Sequence, residues 1–327
     1  MPATMHAICQ QAFGGPEVLE LTGVERPVPL PTEVLVRVRA AGVNPVEAVI
    51  RSGQFPLLGQ PPFILGWDVS GVVEDIEPGV TRFRPGDEVY AMPFFPRAAR
   101  AYAEYVATPP RQLARKPGSL SHAEAAALPL AGLTAWQALV DTARVAAGQR
   151  VLIHGAGGGV GHLAVQIARA RGAHVIGTAS AAKHDLVASL GADELIDYRA
   201  ADFAAHVDGV DVVLDTIGGE VARRSIGVLR PGGLLVTVVG RRDLDLAART
   251  EAAGRRLAGV SGEPGYPALE ALAGRAESGE LRVHRPATLG LAEAVKAREL
   301  LESGSVTGKV ALTVGPGIDR ALAAGPG

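Results

Sequence analysis

Residues 150–180, RVLIHGAGGGVGHLAVQIARARGAHVIGTAS, constrain this chain more than any other stretch, because they read as strand, glycine turn, helix and second strand. Val151, Leu152 and Ile153 form a short apolar run suited to a strand buried on both faces. The turn Ala156-Gly157-Gly158-Gly159-Val160-Gly161 fits A-x-G-x-x-G, a dinucleotide fingerprint with alanine in the first glycine's place. Gly158 lets the backbone approach a pyrophosphate. Gly161 lets the next helix pack closely and aim its free N–H groups and positive dipole end at the phosphates. Val160, Leu163, Ala164, Ile167 and Ala168 recur at helical spacing to bury one face, Gly172 supplies a stop, and His174–Thr178 resumes as a strand. Glycine turns also serve purely structural ends, and it is the flanking elements that favour dinucleotide binding here.

The end of the second strand bears on which dinucleotide. An NAD-binding chain usually places Asp or Glu there to hold the ribose hydroxyls. This one runs Thr178-Ala179-Ser180-Ala181-Ala182-Lys183, with no carboxylate. Ser180 can hydrogen-bond a phosphate and Lys183 supplies a positive charge, so the expected cofactor is NADPH. A solvated lysine opening the next helix is the plain alternative for Lys183.

A chain of 327 residues has room for two domains with their own cores. Its formal charge of −2 gives no general pull towards nucleic acid or an anionic membrane, and scarce aromatics make a base-stacking surface unexpected. The N-terminal MPATMHAICQQAF lacks a signal-peptide pattern and no apolar run is long enough to span a bilayer, so a cytoplasmic location is expected. Cys9 is the one cysteine, which excludes an internal disulfide and a cysteine-rich zinc site. It falls in a predicted first strand as a small buried residue. His154 and His162 flank the glycine turn without metal-ligand spacing, and no metal is expected.

Residues 33–40, 71–76 and 86–91 are short strand-like runs separated by Pro-Gly turns, the texture of a compact antiparallel β domain. From about residue 124, strands alternate with helices. Runs at Glu194–Asp197, Asp211–Thr216, Gly233–Val239 and Arg256–Val260 follow the first two, which predicts a six-stranded, doubly wound parallel sheet. The tail reads as helix over Tyr266–Gly279, extended over Leu281–Pro286, helix over Leu291–Ser303 and strand over Lys309–Val314, with a frayed AAGPG end. The expected division is 1–123 with 265–327 in one domain and 124–264 in the other.

AFGGPEVLEL (12–21), RAAGVNPVEAVIRSGQFP (39–56), ILGWDVSGVV (64–73), GDEVYAM (86–92), LPLAGLTAWQAL (128–139), GAGGGVG (155–161), GADELIDY (191–198) and LRPGGLLVTVVG (229–240) occur in order. Together they closely resemble the zinc-free quinone oxidoreductases, the zeta-crystallin-like branch of the medium-chain dehydrogenase/reductase superfamily. The resemblance implies an α/β chain with a GroES-like β-barrel catalytic domain, a central Rossmann domain that binds NADPH, and a homodimer. It also implies that the zinc ligands of metal-dependent relatives are replaced by Asn44, Trp67 and Leu130, so that no metal is held.

Further roles follow from the same resemblance. Asn44 lies beside the nicotinamide, its amide offered to a ribose hydroxyl or the substrate oxygen; before a proline it is also an ordinary turn residue. Thr134 faces the nicotinamide end, or caps a helix start. Tyr198 sits near the 2′-phosphate with Ser180 and Lys183, or is a partly buried strand end. Val239 and Gly240 run past the nicotinamide. Val49 and Phe55 stand where relatives carry pocket tyrosines, so no side-chain proton donor is assigned; Phe55 and Trp67 are candidate apolar walls, with a plain core role the alternative for Trp67. The implied activity is hydride transfer to a quinone or activated enone, a small-molecule substrate. The alternatives are enoyl-thioester reduction, for which Arg97, Arg100, Arg111, Arg115 and Lys116 are candidate carrier-protein contacts unless they are ordinary solvated charges, and non-catalytic NADPH binding.

Overall fold

The computed structural model describes residues 3–315; the expected frayed end lies outside them. The described chain forms two compact units. One comprises the residues up to Leu130, Pro264–Glu277 and those from Val283 onward; the other comprises Ala131–Glu263 and Ser278–Arg282.

Antiparallel strands dominate the first unit: β1 (Thr4–Gln10), β2 (Leu19–Glu25), β3 (Val34–Val43), β4 (Phe63–Ile64), β5 (Asp68–Ile76), β6 (Glu88–Ala91), β7 (Tyr105–Thr108) and β8 (Leu113–Arg115). The second unit holds β9 (Arg150–His154), β10 (His174–Ala179), β11 (Glu194–Asp197), β12 (Val210–Asp215), β13 (Leu229–Thr237) and β14 (Arg256–Gly259). The chain then returns to the first unit with β15 (Ala287–Gly290) and β16 (Val310–Thr313).

In the first unit a sheet ordered β2-β1-β4 accompanies a larger one ordered β15-β16-β3-β5-β6-β8, with β7 also on β3. This is the GroES-like architecture. The tail's final strand, β16, lies where it is expected, and a further strand, β15, follows Leu281–Pro286, whose residues carry no ladder. The division between units falls after Leu130, later than the expected 123/124, because the helix His122–Ala127 packs on β3. A Cβ at Gly42 would lie 2.3 Å from the Ala126 carbonyl oxygen, so only glycine admits that helix.

The second unit's sheet is parallel throughout, in the order β11-β10-β9-β12-β13-β14. Strand order reverses between β9 and β12, and that switch point is where open α/β sheets bind ligands, beyond the carboxyl ends of the strands. Leu152, Ile176, Val213 and Leu235, one from each of the four central strands, are fully buried. Each contributes roughly 1.5–3 kcal/mol of transfer free energy. The helix after β9, Gly161–Ala170, is buried on every side over Gly161–Ala168 and not along one stripe, so it is an interior helix.

Candidate active site

The turn after β9 works differently from a textual reading of its fingerprint. Gly155, one residue before the motif, takes the left-handed conformation (φ +66°) that makes the turn tight. Ala156 occupies the first fingerprint position, fully buried, and donates its N–H to the Thr178 carbonyl at 2.9 Å. Its methyl group is accommodated because β10 opposes it with Gly177, where a Cβ would lie 2.9 Å from that of Ala156. Gly158 donates to the Gly155 carbonyl at 2.8 Å. A Cβ at Gly161 would sit 2.1 Å from the Gly155 oxygen, so only glycine lets the helix start there.

The helix cap, Val160, has no side-chain hydrogen bond. Among the described residues no acceptor meets the N–H groups of Gly159, Val160 or Gly161. Those three amides form a cradle for an anion at the positive end of a helix dipole. His162, unforeseen in the sequence, fixes the cradle from behind, its Nδ1–H donating to the Gly158 carbonyl at 2.9 Å.

The neighbouring strand ends carry the expected polar group. Ser180 follows β10, is buried, and caps the short turn Ala181–Lys183 without using its hydroxyl on the backbone. Lys183 folds back over the glycine turn: a Cβ at Gly157 would lie 2.8 Å from its Cδ. Tyr198 follows β11 and is 57% exposed, so it is neither buried nor a strand residue. Arg199, missed in the sequence, adds a second cation with its guanidinium 5.7 Å from the Tyr198 ring centre. Burial pushes the Lys183 ammonium down; Tyr198 opposes that shift and Arg199 reinforces it.

Beyond β12 and β13 a carboxylate organises the loops. Asp215 Oδ1 accepts from the N–H groups of Ile217 and Gly218 at 3.0 and 2.8 Å, and Oδ2 accepts the Thr237 hydroxyl. Thr237 Oγ1 in turn accepts the Gly240 N–H at 2.9 Å. Val239 and Gly240 therefore lie in the turn after β13 and not at its end, and Val239 presents a side chain that is 58% exposed. Thr134 is buried inside the helix Pro129–Trp136, not at its start, so it is no cap.

In the first unit, Asn44 follows β3 and is only 1% exposed. Its amide is not free. Nδ2 donates to Asp68 Oδ2 at 2.9 Å, and Oδ1 accepts from the Lys309 ammonium. Lys309 Nζ also donates to the Val43 carbonyl at 3.1 Å and stands 3.6 Å from Asp68 Oδ2. Asp68 Oδ1 accepts the Leu130 N–H at 2.8 Å. One carboxylate thus ties together Asn44 and Leu130, two of the three positions matched to zinc ligands, and adjoins the third, Trp67. Burial pushes the Asp68 carboxyl up and the Lys309 ammonium down, each opposed by the other's charge.

A second buried group adjoins this one. Glu47 Oε2 accepts from the Asn44 N–H at 3.0 Å, the Tyr102 hydroxyl at 2.6 Å and Arg298 Nη1 at 2.9 Å. Arg298 also donates to the Asn44 carbonyl at 2.7 Å, and Glu302 bridges Arg298 to Arg51.

Trp67 is a core residue, not a pocket wall: it is fully buried, edge-on to Phe95 at 5.3 Å, with Nε1 donating to the Arg97 carbonyl. Val49 is exposed and Phe55 half-buried, joined by the Phe55 N–H to the Val49 carbonyl. Arg115 and Lys116 are paired with Asp87 and Glu88, so they do not present an unneutralised basic patch. Among the described residues no three His, Cys, Asp or Glu side chains are grouped to hold a metal. None of the helices described is long and apolar enough to cross a membrane.

A GroES-like unit and a parallel six-stranded unit in one chain define a medium-chain dehydrogenase/reductase. Comparison with known proteins narrows this. Residues 30–118 match the alcohol dehydrogenase GroES-like domain, and residues 190–312 match the zinc-binding dehydrogenase family. The quinone oxidoreductase of Sus scrofa is 34% identical over 94% of this chain and 97% of its own. The structure of the quinone oxidoreductase from Coxiella burnetii superposes with a TM-score of 0.92 at 37% identity, covering 96% of this chain and all of that one. That of the CurK enoyl reductase does so with a TM-score of 0.86 at 27% identity, covering 94% and 99%. The chain belongs to the quinone oxidoreductase family, and its class of activity is oxidoreduction.

Proposed function

We propose that this chain is an NADPH-dependent, zinc-independent reductase of quinones or activated enones. The observation that carries the proposal is the three uncommitted amides of Gly159, Val160 and Gly161 beside the end of β10, which offers Ser180 and Lys183 and no carboxylate, with Tyr198 and Arg199 following Asp197 at the end of β11. The amides suit a pyrophosphate; the hydroxyls and cations suit a 2′-phosphate. The reduced nicotinamide supplies a hydride when bound. Val239, Gly240, Ile217 and Gly218 provide the surface for it, and Asp215 holds that surface rigid. Asn44 has one Nδ2 hydrogen left to offer a substrate oxygen as negative charge develops there, so it serves as a donor only. Asn, Trp and Leu at the three ligand-matched positions supply no zinc donor set, which supports a reaction without that metal. A cytoplasmic homodimer completes the reading on family grounds.

The second reading is enoyl-thioester reduction, favoured by the likeness to CurK. One experiment addresses both. NADPH and NADH oxidation are followed with 1,4-benzoquinone, a simple enone and a crotonyl thioester, for the wild type and Lys183→Ala. NADPH turnover with quinone or enone is expected, with KM for NADPH rising about tenfold in the variant while that for NADH stays put. Equal use of NADH by the wild type overturns the 2′-phosphate assignment. Turnover confined to the thioester selects the second reading, and tight NADPH binding without any turnover points to a binding protein.

A further inference from the structure

We propose that Lys309 and Asp68 are positioning residues that act through Asn44, fixing its amide so that a single N–H faces the reacting oxygen. This deepens the functional reading above and rests on its placement of Asn44 at the reacting centre.

The argument is one of donors and acceptors. Lys309 Nζ has three neighbours, the Val43 carbonyl, Asn44 Oδ1 and Asp68 Oδ2, all acceptors, as an ammonium with three donors requires. Asp68 receives the Leu130 N–H on one oxygen and the Asn44 Nδ2–H on the other, as an ionised carboxylate does. An asparagine amide is nearly symmetric in shape, and either end can usually exchange with the other. Between an obligate donor and an obligate acceptor it cannot: exchange would set N–H against the ammonium and oxygen against the carboxylate. All three residues are at most 2% exposed, so no water competes for the roles. The amide therefore has one orientation, with Oδ1 spent and one Nδ2 hydrogen that no described residue accepts. Lys309 and Asp68 belong to the first unit and the glycine turn to the second, so the expected effect falls on the chemical step and not on dinucleotide binding.

The test is a double-mutant cycle on the full-length enzyme with NADPH and 1,4-benzoquinone, using Asn44→Ala, Lys309→Gln and their combination. Asn44→Ala is expected to lower kcat roughly a hundredfold, the loss of one donor aimed at developing charge. Lys309→Gln should lower kcat by roughly tenfold or more, with the NADPH dissociation constant changed less than about twofold. Because Lys309 acts through Asn44, the double variant should be no slower than Asn44→Ala alone. Asp68→Asn in the same cycle gives the same pattern and serves if Lys309→Gln does not fold. Losses that multiply, or a Lys309→Gln enzyme with wild-type kcat, overturn the positioning role and leave the functional reading standing. A fully active Asn44→Ala enzyme instead removes Asn44 from the reacting centre, and the present proposal with it.

Discussion

Thr237, at the end of β13, donates its hydroxyl to the buried Asp215 at the end of β12 over 2.8 Å. This bond makes one unit of two loops, since Asp215 also holds the N–H groups of Ile217 and Gly218 while Thr237 holds that of Gly240. Thr237→Val keeps the shape and removes the bridge. It leaves the carboxylate and one amide short of a partner, at a cost of about 1–3 kcal/mol. The expected result is a lower melting temperature together with a raised KM for NADPH and little change in its binding at the 2′-phosphate end. Unchanged KM would mean that these loops do not carry the nicotinamide.

Two glycines of one turn should respond oppositely to alanine. At Gly161 the new Cβ meets a backbone oxygen at 2.1 Å, which cannot yield without moving the helix, whereas at Gly157 it meets only the Lys183 side chain, Cδ at 2.8 Å and Cβ at 3.1 Å. Gly161→Ala is expected to cost several kcal/mol, about the 1–3 of an overpacked interior or more, and to abolish NADPH binding. Gly157→Ala should fold normally but displace Lys183, lowering the preference for NADPH over NADH. Calorimetric melting with and without each cofactor separates the two outcomes; equal loss of stability in both variants would contradict the geometry.

The second unit was largely legible because its information is local. The run 150–180 contains strand, turn, helix and strand within one window, and its six strands appear within a residue or two of the expected places, apart from the earlier start of β13. The same locality explains the misses there. Nothing in the text of A-x-G-x-x-G shows that Gly155 takes the turn's strained conformation, or that Gly177 on the next strand makes room for Ala156. In the first unit the decisive contacts are far apart in sequence: Asn44 and Lys309 are 265 residues distant, and Arg298 reaches Glu47 across 251. Periodicity cannot join such pairs. Asp68 stands within the motif ILGWDVSGVV beside Trp67, whose ring suits a pocket wall or a core equally in sequence and lies in the core.

The Glu47–Arg298 pair should be a strong structural dependency. Both side chains are fully buried at 2.9 Å, and Arg298 also holds the Asn44 backbone carbonyl. Removing one partner strands the other's charge, so Arg298→Met is expected to destabilise by about 3–5 kcal/mol. Tyr102→Phe removes only one of three donors to Glu47 Oε2 and should cost closer to 1–2 kcal/mol. Urea unfolding of the two variants checks the ranking; a milder effect for Arg298→Met would show that the remaining charge is rescued by water.

Acid sensitivity should trace partly to His154, on β9. Its ring lies between the Thr178 hydroxyl at 3.0 Å and the Ser225 hydroxyl at 2.9 Å, edge-on to Phe203. Burial holds its pKa down at about 4, against the weaker pull of Asp215. The unfolded chain protonates this histidine near 6.5, so between about pH 6.5 and 4 it binds protons that the native state refuses. Stability therefore falls as pH drops through that window, by roughly 3 kcal/mol once pH reaches 4, and above 6.5 the residue adds no pH dependence. His154→Gln keeps a polar, neutral group between the two hydroxyls but cannot take up the proton. It should be less stable than the wild type at pH 7.5, yet lose less of its stability between pH 6.5 and 4.5. Urea midpoints across that range measure the difference in slope. Parallel pH profiles for the two proteins would place the acid sensitivity elsewhere, in the carboxylates of the ion pairs and not in the core of the dinucleotide-binding sheet.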